Sequence, residues 1–171
     1  SAGLQDAAQL TREFLHCLTE PIFAHGGTLD KYTGDGLVAF WGAPLARSDH
    51  TRQALEASRE IVQAVRRWNE ARIAQGKLPA RVRIGIESGP VLVGDLGTSF
   101  RSTYTAVGDC INLAAKLQAT AKTLQCDVVI GPQAAQAAGS FELVPVAQLQ
   151  LPGFNNTSVL WSFSDMRSSL P

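Results

Sequence analysis

The alternation of hydrophobic and polar positions divides the first half of the chain into two long helices and a hairpin. Between Leu4 and His25 apolar residues recur every four positions, which predicts an amphipathic helix that Pro21 should kink or break. A second apolar stripe predicts a long helix from His50 to Gln75, and Asp49 offers an N-cap for it. Each helix has one apolar face, so we expect both to pack on other elements.

A hairpin is predicted between these helices, in the stretch from Gly26 to Trp41. Its turn is the sequence T-G-D-G at residues 33–36, whose glycines allow positive φ angles and a close approach of the backbone to a ligand. Asp35 is then presented at the tip, where its carboxylate could hold a hard cation. Lys31 lies near enough along the hairpin to serve the same or a neighbouring site. Taken alone, the stretch is more simply interpreted as an ordinary surface hairpin.

The second half of the sequence alternates short strands and helices. Residues 81–94 predict a hairpin around the turn Ser88-Gly89-Pro90. Residues 104–107 predict a strand that leads through Gly108 into a helix opened by Asp109, a residue suited to an N-cap and to the positive end of the helix dipole. The other predicted elements are strands at 127–130, 141–151 and 158–163 and a short helix that starts at Gly131-Pro132. This order of elements predicts an α+β fold with helices packed on a sheet.

The helix after Gly108 should place an amide and a cation on one face. Asn112 and Lys116 are four residues apart, so their side chains lie one above the other. The residues expected to pack the opposite side are Ile111, Ala114, Ala115 and Leu117. An amide and a cation opposite a hairpin with a carboxylate and a lysine could bind a nucleotide.

Composition narrows the class of protein. The chain has 171 residues, of which 45% are hydrophobic and 18% charged, which is ordinary for one globular domain with a sizeable core. The formal net charge is zero, which argues against a general nucleic-acid-binding protein. Three scattered cysteines are typical of a reduced chain rather than a disulfide framework. No apolar run reaches the length of a membrane span, and no signal peptide is recognisable.

Two motifs together resemble the catalytic domain of class III nucleotide cyclases, the family of bacterial and animal adenylyl and guanylyl cyclases. They are D-K-Y-T-G-D-G-L-V-A-F-W-G-A-P, from Asp30, and Y-T-A-V-G-D-C-I-N-L-A-A-K, from Tyr104. The resemblance covers essentially the whole chain. It implies an α+β fold with a mixed or antiparallel sheet of the ferredoxin-like, palm-type kind flanked by helices. Residues 1–165 would form the catalytic domain and residues 166–171 a C-terminal tail.

The resemblance also implies a function for each candidate residue. Asp35 matches one of the family's two metal-binding aspartates, Lys31 matches the residue that reads the purine base, and Thr105 matches the partner of that lysine. Asn112 matches the asparagine that orients the ribose. Lys116 stands where the family usually has an arginine that stabilises the charge of the transition state.

The reaction implied is the conversion of ATP to 3′,5′-cyclic AMP and pyrophosphate. In the family, two Mg²⁺ or Mn²⁺ ions per active site activate the ribose 3′-hydroxyl and bind the triphosphate. The sites form between two subunits, so the expected partners are ATP, a second cyclase domain in a homodimer, and an upstream sensor or membrane domain; nucleic acid is not expected. The expected location is the cytoplasm, with attachment to a membrane-anchored protein left open.

Three departures from the family pattern leave alternatives open. The family's other metal aspartate belongs to a strand before the first helix, in a motif like F-A-D-I-x-G-F-T, which this sequence lacks ahead of Ser1. We therefore expect a catalytic domain without its first strand and without a complete metal site. Lys116 keeps the charge of the usual arginine but loses its two-pronged donor. The stretch from Leu151 to Asn156 has no cation where the family often has one.

Two other functions therefore remain possible at this stage. One is a degenerate cyclase-fold module that binds nucleotide or a partner domain and regulates without turnover. The other is a guanylyl cyclase, which differs only in the base that it reads. A generic structural α+β domain would not explain the joint match of both motifs.

Overall fold

The structure, a computed structural model, describes residues 2–34, 36–95, 97–98 and 104–166. The chain divides into two compact units, Ser1–Arg81 and Val82–Pro171. Asp35, the candidate metal ligand, lies outside the described residues.

The first unit contains two long helices and a two-stranded antiparallel hairpin. Helix α1 spans Ala2–Ala24, β1 spans Thr28–Thr33, β2 spans Gly36–Phe40 and α2 spans His50–Ala74. The hairpin and both helices are thus confirmed. Pro21 was expected to kink or break the helix. The prediction of a break is wrong, because α1 continues for three residues beyond Pro21. Pro21 lies in the last turn of the helix, where its missing N–H removes only one of the final hydrogen bonds.

The two helices of this unit pack on each other through the apolar stripes seen in the sequence. Leu18 and Ile22 of α1 are buried, as are Leu55 and Val62 of α2. At the other end of the contact, the rings of Phe14 and Trp68 lie 6.0 Å apart. Full burial of one such aliphatic side chain contributes about 1.5–3 kcal/mol, so these stripes account for the pairing of two otherwise polar helices.

In the part that the structure describes, the second unit contains six strands, two helices and a terminal 3₁₀ turn. These are β3 Ile84–Ile86, β4 Leu92–Asp95, β5 Tyr104–Val107, α3 Asp109–Leu124, β6 Val128–Ile130, α4 Pro132–Gln136, β7 Leu143–Gln150, β8 Thr157–Phe163 and the turn Ser164–Met166. Strands β3, β6, β8 and β7 form one sheet in that order, and β4 with β5 forms a separate antiparallel pair. Because β3 and β6 are parallel while the other two contacts are antiparallel, the four-stranded sheet is mixed.

The prediction of a hairpin within residues 81–94 is wrong, because its two strands do not pair with each other. Strand β3 pairs in parallel with β6, and β4 pairs with β5. All three residues of β6 are buried, so β3 gains a fully apolar neighbour by pairing there. The turn at Ser88-Gly89-Pro90 therefore separates two strands of different sheets.

The core of the second unit lies between α3 and the mixed sheet. Leu113, Leu117 and Ala121 of α3 are buried together with Val129 and Leu160. A buried polar contact also fixes the sheet, because the Ser162 hydroxyl donates to the carbonyl oxygen of Val128 at 2.6 Å. A satisfied hydroxyl of this kind costs little in an apolar core, whereas an unsatisfied one would be expensive.

The α+β fold with a mixed sheet and packed helices is confirmed. Met166, the first residue of the expected tail, ends the 3₁₀ turn and is buried, and residues 167–171 lie outside the described residues. Among the described residues, no helix is both long and apolar enough to cross a membrane.

Candidate active site

The central hairpin, β1 with β2, presents Lys31 on an exposed stretch of strand. Lys31 lies opposite Val38, and the register shifts between Leu29 and Lys31, which leaves Asp30 as the extra residue of a β-bulge. A bulge re-aims the side chains that follow it, so Asp30 sets the direction in which Lys31 points. Gly34 at the tip has a φ of 60°, as the turn requires.

The base of this hairpin is held by polar contacts from both of its strands. Thr28 donates its hydroxyl to the carbonyl oxygen of Ala43 at 2.8 Å, and the Trp41 indole donates to the carbonyl oxygen of His25 at 3.0 Å. A side chain at Gly27 would lie 2.7 Å from the Trp41 ring, so the backbone must pass close to the indole there. These contacts fix the base of the hairpin.

Thr105 lies in the β4–β5 pair, where its partner across the strands is Gly94. Thr105 is half-buried, and a side chain added at Gly94 would meet no atom within 4 Å. Among the described residues, nothing therefore lies against the strand at Gly94, opposite Thr105. Leu92 and Val107 are paired two residues away and are 67% and 54% exposed, so an apolar rim borders the same face.

Asn112 and Lys116 lie one turn apart on α3, and both are exposed. The shared face expected for them is confirmed. The helix begins one residue earlier than an Asp109 N-cap would require, because Gly108 occupies the N-cap position and Asp109 the first turn. The carboxylate of Asp109 still suits the positive end of the helix dipole.

The packed side of α3 differs in part from the expectation. Leu117 is buried as expected, but Ala115 is exposed and Leu113 takes a buried position. Leu113 and Leu117 are spaced by one turn, and so are Asn112 and Lys116, which places the polar pair immediately beside the apolar stripe. The burial of that stripe therefore determines where the amide and the ammonium group point.

Two glycines, Gly85 and Gly108, determine where α3 lies, and the sequence had not indicated the packing role of either. A side chain at Gly85 of β3 would overlap the carbonyl oxygen of Ala114, and one at Gly108 would lie 2.8 Å from the carbonyl oxygen of Pro90. Strand β3 and helix α3 therefore touch through their backbones at Gly85, and the loop before β4 touches the N-cap of α3 at Gly108. A glycine inside a strand is the signal that could have identified Gly85, because it often marks a close approach of two backbones.

Glu87, which follows β3, is a third residue that the sequence did not single out. Its Oε1 accepts hydrogen bonds from the backbone amides of Ser88 at 2.9 Å and Ala134 at 2.8 Å. Its Oε2 is buried and has no hydrogen-bond partner among the described atoms. Burial raises the pKa of Glu87 above its ordinary value, against the opposing effect of these amides.

Cys110, in the first turn of α3, is the thiol nearest to Asn112 in the sequence. Burial first, and then the negative charge of Glu87, raise the pKa of this thiol. The thiol form is the weaker nucleophile, so the structure gives Cys110 no activated role. All three cysteines are unpaired, as expected for a reduced chain.

The candidate residues divide between the two units of the structure. Lys31 belongs to the first unit, and Thr105, Asn112 and Lys116 belong to the second. Within the second unit, β5 leads directly into α3, so Thr105 precedes Asn112 by only seven positions. In the described ranges, no three His, Cys, Asp or Glu side chains are grouped so that they could hold a metal ion. A cleft of about 590 Å³ on the first unit, lined by Glu13, His16, Cys17 and Trp68 among others, contains none of the candidates.

Comparison with known proteins gives the family. The family described as "Adenylate and Guanylate cyclase catalytic domain" matches residues 9–163. Adenylate cyclase 1 of Rhizobium meliloti (strain 1021) is 29% identical over 150 residues, which are 87% of this chain and 23% of the relative. The chain thus spans about a quarter of the length of such curated relatives.

Solved structures of cyclases have the same fold. The adenylyl cyclase CyaB from P. aeruginosa superposes with a TM-score of 0.82 at 22% identity, with 100% of this chain and 87% of that chain covered. The guanylyl cyclase Cya2 superposes with a TM-score of 0.79 at 25% identity, with 94% and 81% covered. Because the family match extends over most of the sequence, the chain belongs to the adenylate and guanylate cyclase catalytic domain family.

Proposed function

We propose that the chain is the catalytic domain of an adenylyl cyclase, which converts ATP to 3′,5′-cyclic AMP and pyrophosphate. The observation that carries this proposal is the presence of Lys31 and Thr105, at the positions that resemble the base-reading pair of the family, in a chain of this family. Both kinds of cyclase occur among its relatives, so the family alone does not decide between ATP and GTP.

The chemistry of the two side chains favours adenine. Adenine offers an acceptor at N1 and a donor at its 6-amino group. The ammonium group of Lys31 can donate to N1, and the hydroxyl of Thr105 can accept from the amino group. Guanine reverses this edge and would set a donor against Lys31, which leaves buried polar groups unpaired at about 1–3 kcal/mol each.

Asn112 and Lys116 supply the groups for the ribose and the phosphates. The Asn112 amide can donate and accept, so it can hold the ribose with its 3′-oxygen in line with the α-phosphorus. The 3′-hydroxyl releases its proton to water, its oxygen forms the new bond to the α-phosphorus, the bond from the α-phosphorus to its bridging oxygen breaks, and pyrophosphate leaves. The ammonium group of Lys116 stabilises the negative charge that develops on the phosphate oxygens.

The metal requirement enters this proposal through Asp35, which the sequence places at the hairpin tip. When bound, divalent ions would lower the pKa of the 3′-hydroxyl and neutralise charge on the triphosphate. The described residues provide no metal-binding cluster, so they do not by themselves fit two ions. The proposal therefore derives no step from the metals and assigns to Asp35 one coordinating carboxylate. It also includes a homodimer, with the hairpin of one subunit facing α3 of the other.

A second candidate function is a cyclase-fold module that binds nucleotide without turnover. Lys116 in place of an arginine favours it, as does the turn between β7 and β8, where Leu151 to Asn156 supply no cation. Incubation of the full-length protein with ATP and Mn²⁺, followed by chromatographic quantification of cyclic AMP, separates the two. Cyclic AMP that the wild type forms and the Lys116→Ala variant does not form supports the adenylyl cyclase. ATP binding by the wild type without formation of cyclic AMP supports the nucleotide-binding module.

A further inference from the structure

The side chain of His25, between α1 and β1, contacts two acceptor groups on α2. Its Nδ1 lies 3.0 Å from Oε1 of Gln53, and its Nε2 lies 2.9 Å from Oε1 of Glu60. Only 19% of the His25 side chain is exposed. Both nitrogens of one largely buried imidazole are therefore engaged by oxygen atoms.

The orientation of the Gln53 amide decides which of these atoms donates. The Gln53 nitrogen donates to Oδ2 of Asp49 at 2.9 Å, so it is the oxygen of the amide that faces His25. An amide oxygen and a carboxylate can only accept, and each imidazole nitrogen must then carry a hydrogen. A neutral imidazole has one such hydrogen, whereas the imidazolium has two.

The backbone of His25 is joined to the base of the central hairpin. Its carbonyl oxygen accepts from the Trp41 indole, which directly follows β2. Three residues after His25, Thr28 begins β1 and bonds to Ala43. The residue that contacts α2 through its ring therefore also binds Trp41, the residue after β2, through its backbone carbonyl, and it lies three residues before the start of β1.

We propose that His25 is a positioning residue for the cyclase reaction: its imidazolium, held between Gln53 and Glu60, fixes both strands of the hairpin that carries Lys31. The inference rests on the proposed function for its catalytic part, and on the contacts of His25 for its structural part. Loss of the proton removes one of the two ring contacts and loosens the hairpin base. Turnover should then fall as the pH rises.

The acidic groups around His25 favour its protonated form, and the guanidinium of Arg47, which lies beside Gly26, opposes them. Glu60 and Glu56 face His25 from α2. Asp49, in the preceding loop, accepts a hydrogen bond from Gln53, and Arg47 binds Asp49 at 3.1 Å. Burial alone would lower the pKa of His25, but the hydrogen bonds to Glu60 and Gln53 and the charges of Glu60 and Glu56 outweigh it and raise the pKa above about 6.5. The contribution of the imidazolium is fully present below the ordinary pKa and is lost as the pH rises through the raised one.

The structural part is tested by NMR on the intact protein, with no need for activity. Histidine ring ¹⁵N shifts, assigned by His25→Gln, report the charge of the ring, and exchange of the Trp41 indole hydrogen reports the hairpin base. We expect an imidazolium at pH 6.5 and loss of indole protection, corrected for intrinsic exchange, as His25 titrates. Glu60→Gln should move both transitions to lower pH. The control Glu56→Gln, which removes a charge but no hydrogen bond, should move them much less.

The catalytic part is tested by the pH profile of kcat in the wild type, in Glu60→Gln and in the control Glu56→Gln. We expect kcat to fall over the pH range in which His25 loses its proton, and Glu60→Gln to shift that fall to lower pH. A neutral tautomer of His25 at pH 6.5, or transitions that Glu60→Gln does not move, would contradict an imidazolium held between Gln53 and Glu60. A shifted indole transition with an unshifted kcat profile would overturn the positioning role. A wild type that makes no cyclic nucleotide contradicts the proposed function. The NMR result then decides only whether the His25 imidazolium is held between Gln53 and Glu60.

Discussion

Gly85 of β3 lies directly against Ala114 of α3, so that a single added methyl group at residue 85 would overlap the Ala114 carbonyl oxygen. Strand and helix therefore approach each other as closely as their backbones allow. Through this contact β3 sets the height of α3 above the sheet, and α3 carries Asn112 and Lys116 on its exposed side. The position of the candidate catalytic pair thus depends on a residue that has no side chain.

Replacement of Gly85 by alanine should destabilise the protein and displace α3. Overpacking of a closely packed contact typically costs about 1–3 kcal/mol, and backbone atoms cannot move aside as a flexible side chain can. Chemical denaturation measures the change in the free energy of unfolding. The matched control is Gly94→Ala, another strand glycine, whose added methyl group meets nothing within 4 Å. Equal stability of the two variants would contradict the packing described.

Replacement of Lys116 by arginine should raise kcat more than it changes KM. The guanidinium can donate two parallel hydrogen bonds to phosphate oxygens, and this gain is largest when charge develops in the transition state. Lys116→Ala should lose most of the activity. The control is Lys122→Arg, in the last turn of the same helix and exposed like Lys116. An arginine variant that is no faster would mean that the pocket is fitted to lysine.

Mixing two inactive variants should restore activity if the sites form between subunits. Asp35→Ala removes the proposed metal ligand, and Asn112→Ala removes the proposed ribose contact from the opposite half of the site. A heterodimer of the two contains one site with both residues intact. Assays of each variant alone and of the mixture measure the recovery, with heterodimer formation checked by differently tagged chains. Heterodimers without recovered activity would show that each site lies within one chain.

The buried carboxyl group of Glu87 should make stability depend on pH. Its pKa is raised in the folded state, so between its ordinary value and the raised one the folded protein holds a proton that the unfolded chain has lost. The folded state then binds more protons, and the free energy of unfolding decreases as the pH rises through that range. Glu87→Gln keeps an acceptor for the amides of Ser88 and Ala134 and should flatten this slope. Glu70→Gln, at an exposed position of α2, should leave the slope unchanged.

Local patterns predicted the central hairpin and the helices well. The turn at residues 33–36 determines its own strand pairing, because both strands adjoin it in the sequence. The apolar spacing of α2 likewise needs no distant partner to be recognised. The shared helix face of Asn112 and Lys116 could be predicted from helix geometry alone.

Features that depend on distant residues could not be predicted in the same way. The partner of β3 is decided by the buried strand Val128–Ile130, some forty positions later, and not by the nearby turn at Gly89. The role of Glu87 depends on the amide of Ala134, which is equally far along the chain. The ring contacts of His25 join it to Gln53 and Glu60 across the loop between hairpin and helix. Pairing and packing of this kind become visible only when the chain is folded.

The ratio of kcat/KM for ATP to kcat/KM for GTP tests the central proposal most directly. It should be measured in the wild type and in the double variant Lys31→Glu with Thr105→Cys, with Lys77→Glu, an exposed lysine in the turn after α2, as a charge control. We predict a wild type that prefers ATP, a double variant with depressed ATP turnover and a ratio shifted toward GTP, and a control with an unchanged ratio. A wild type that prefers GTP, or a ratio that the double change does not move, would contradict the assignment of Lys31 and Thr105 as the residues that read adenine.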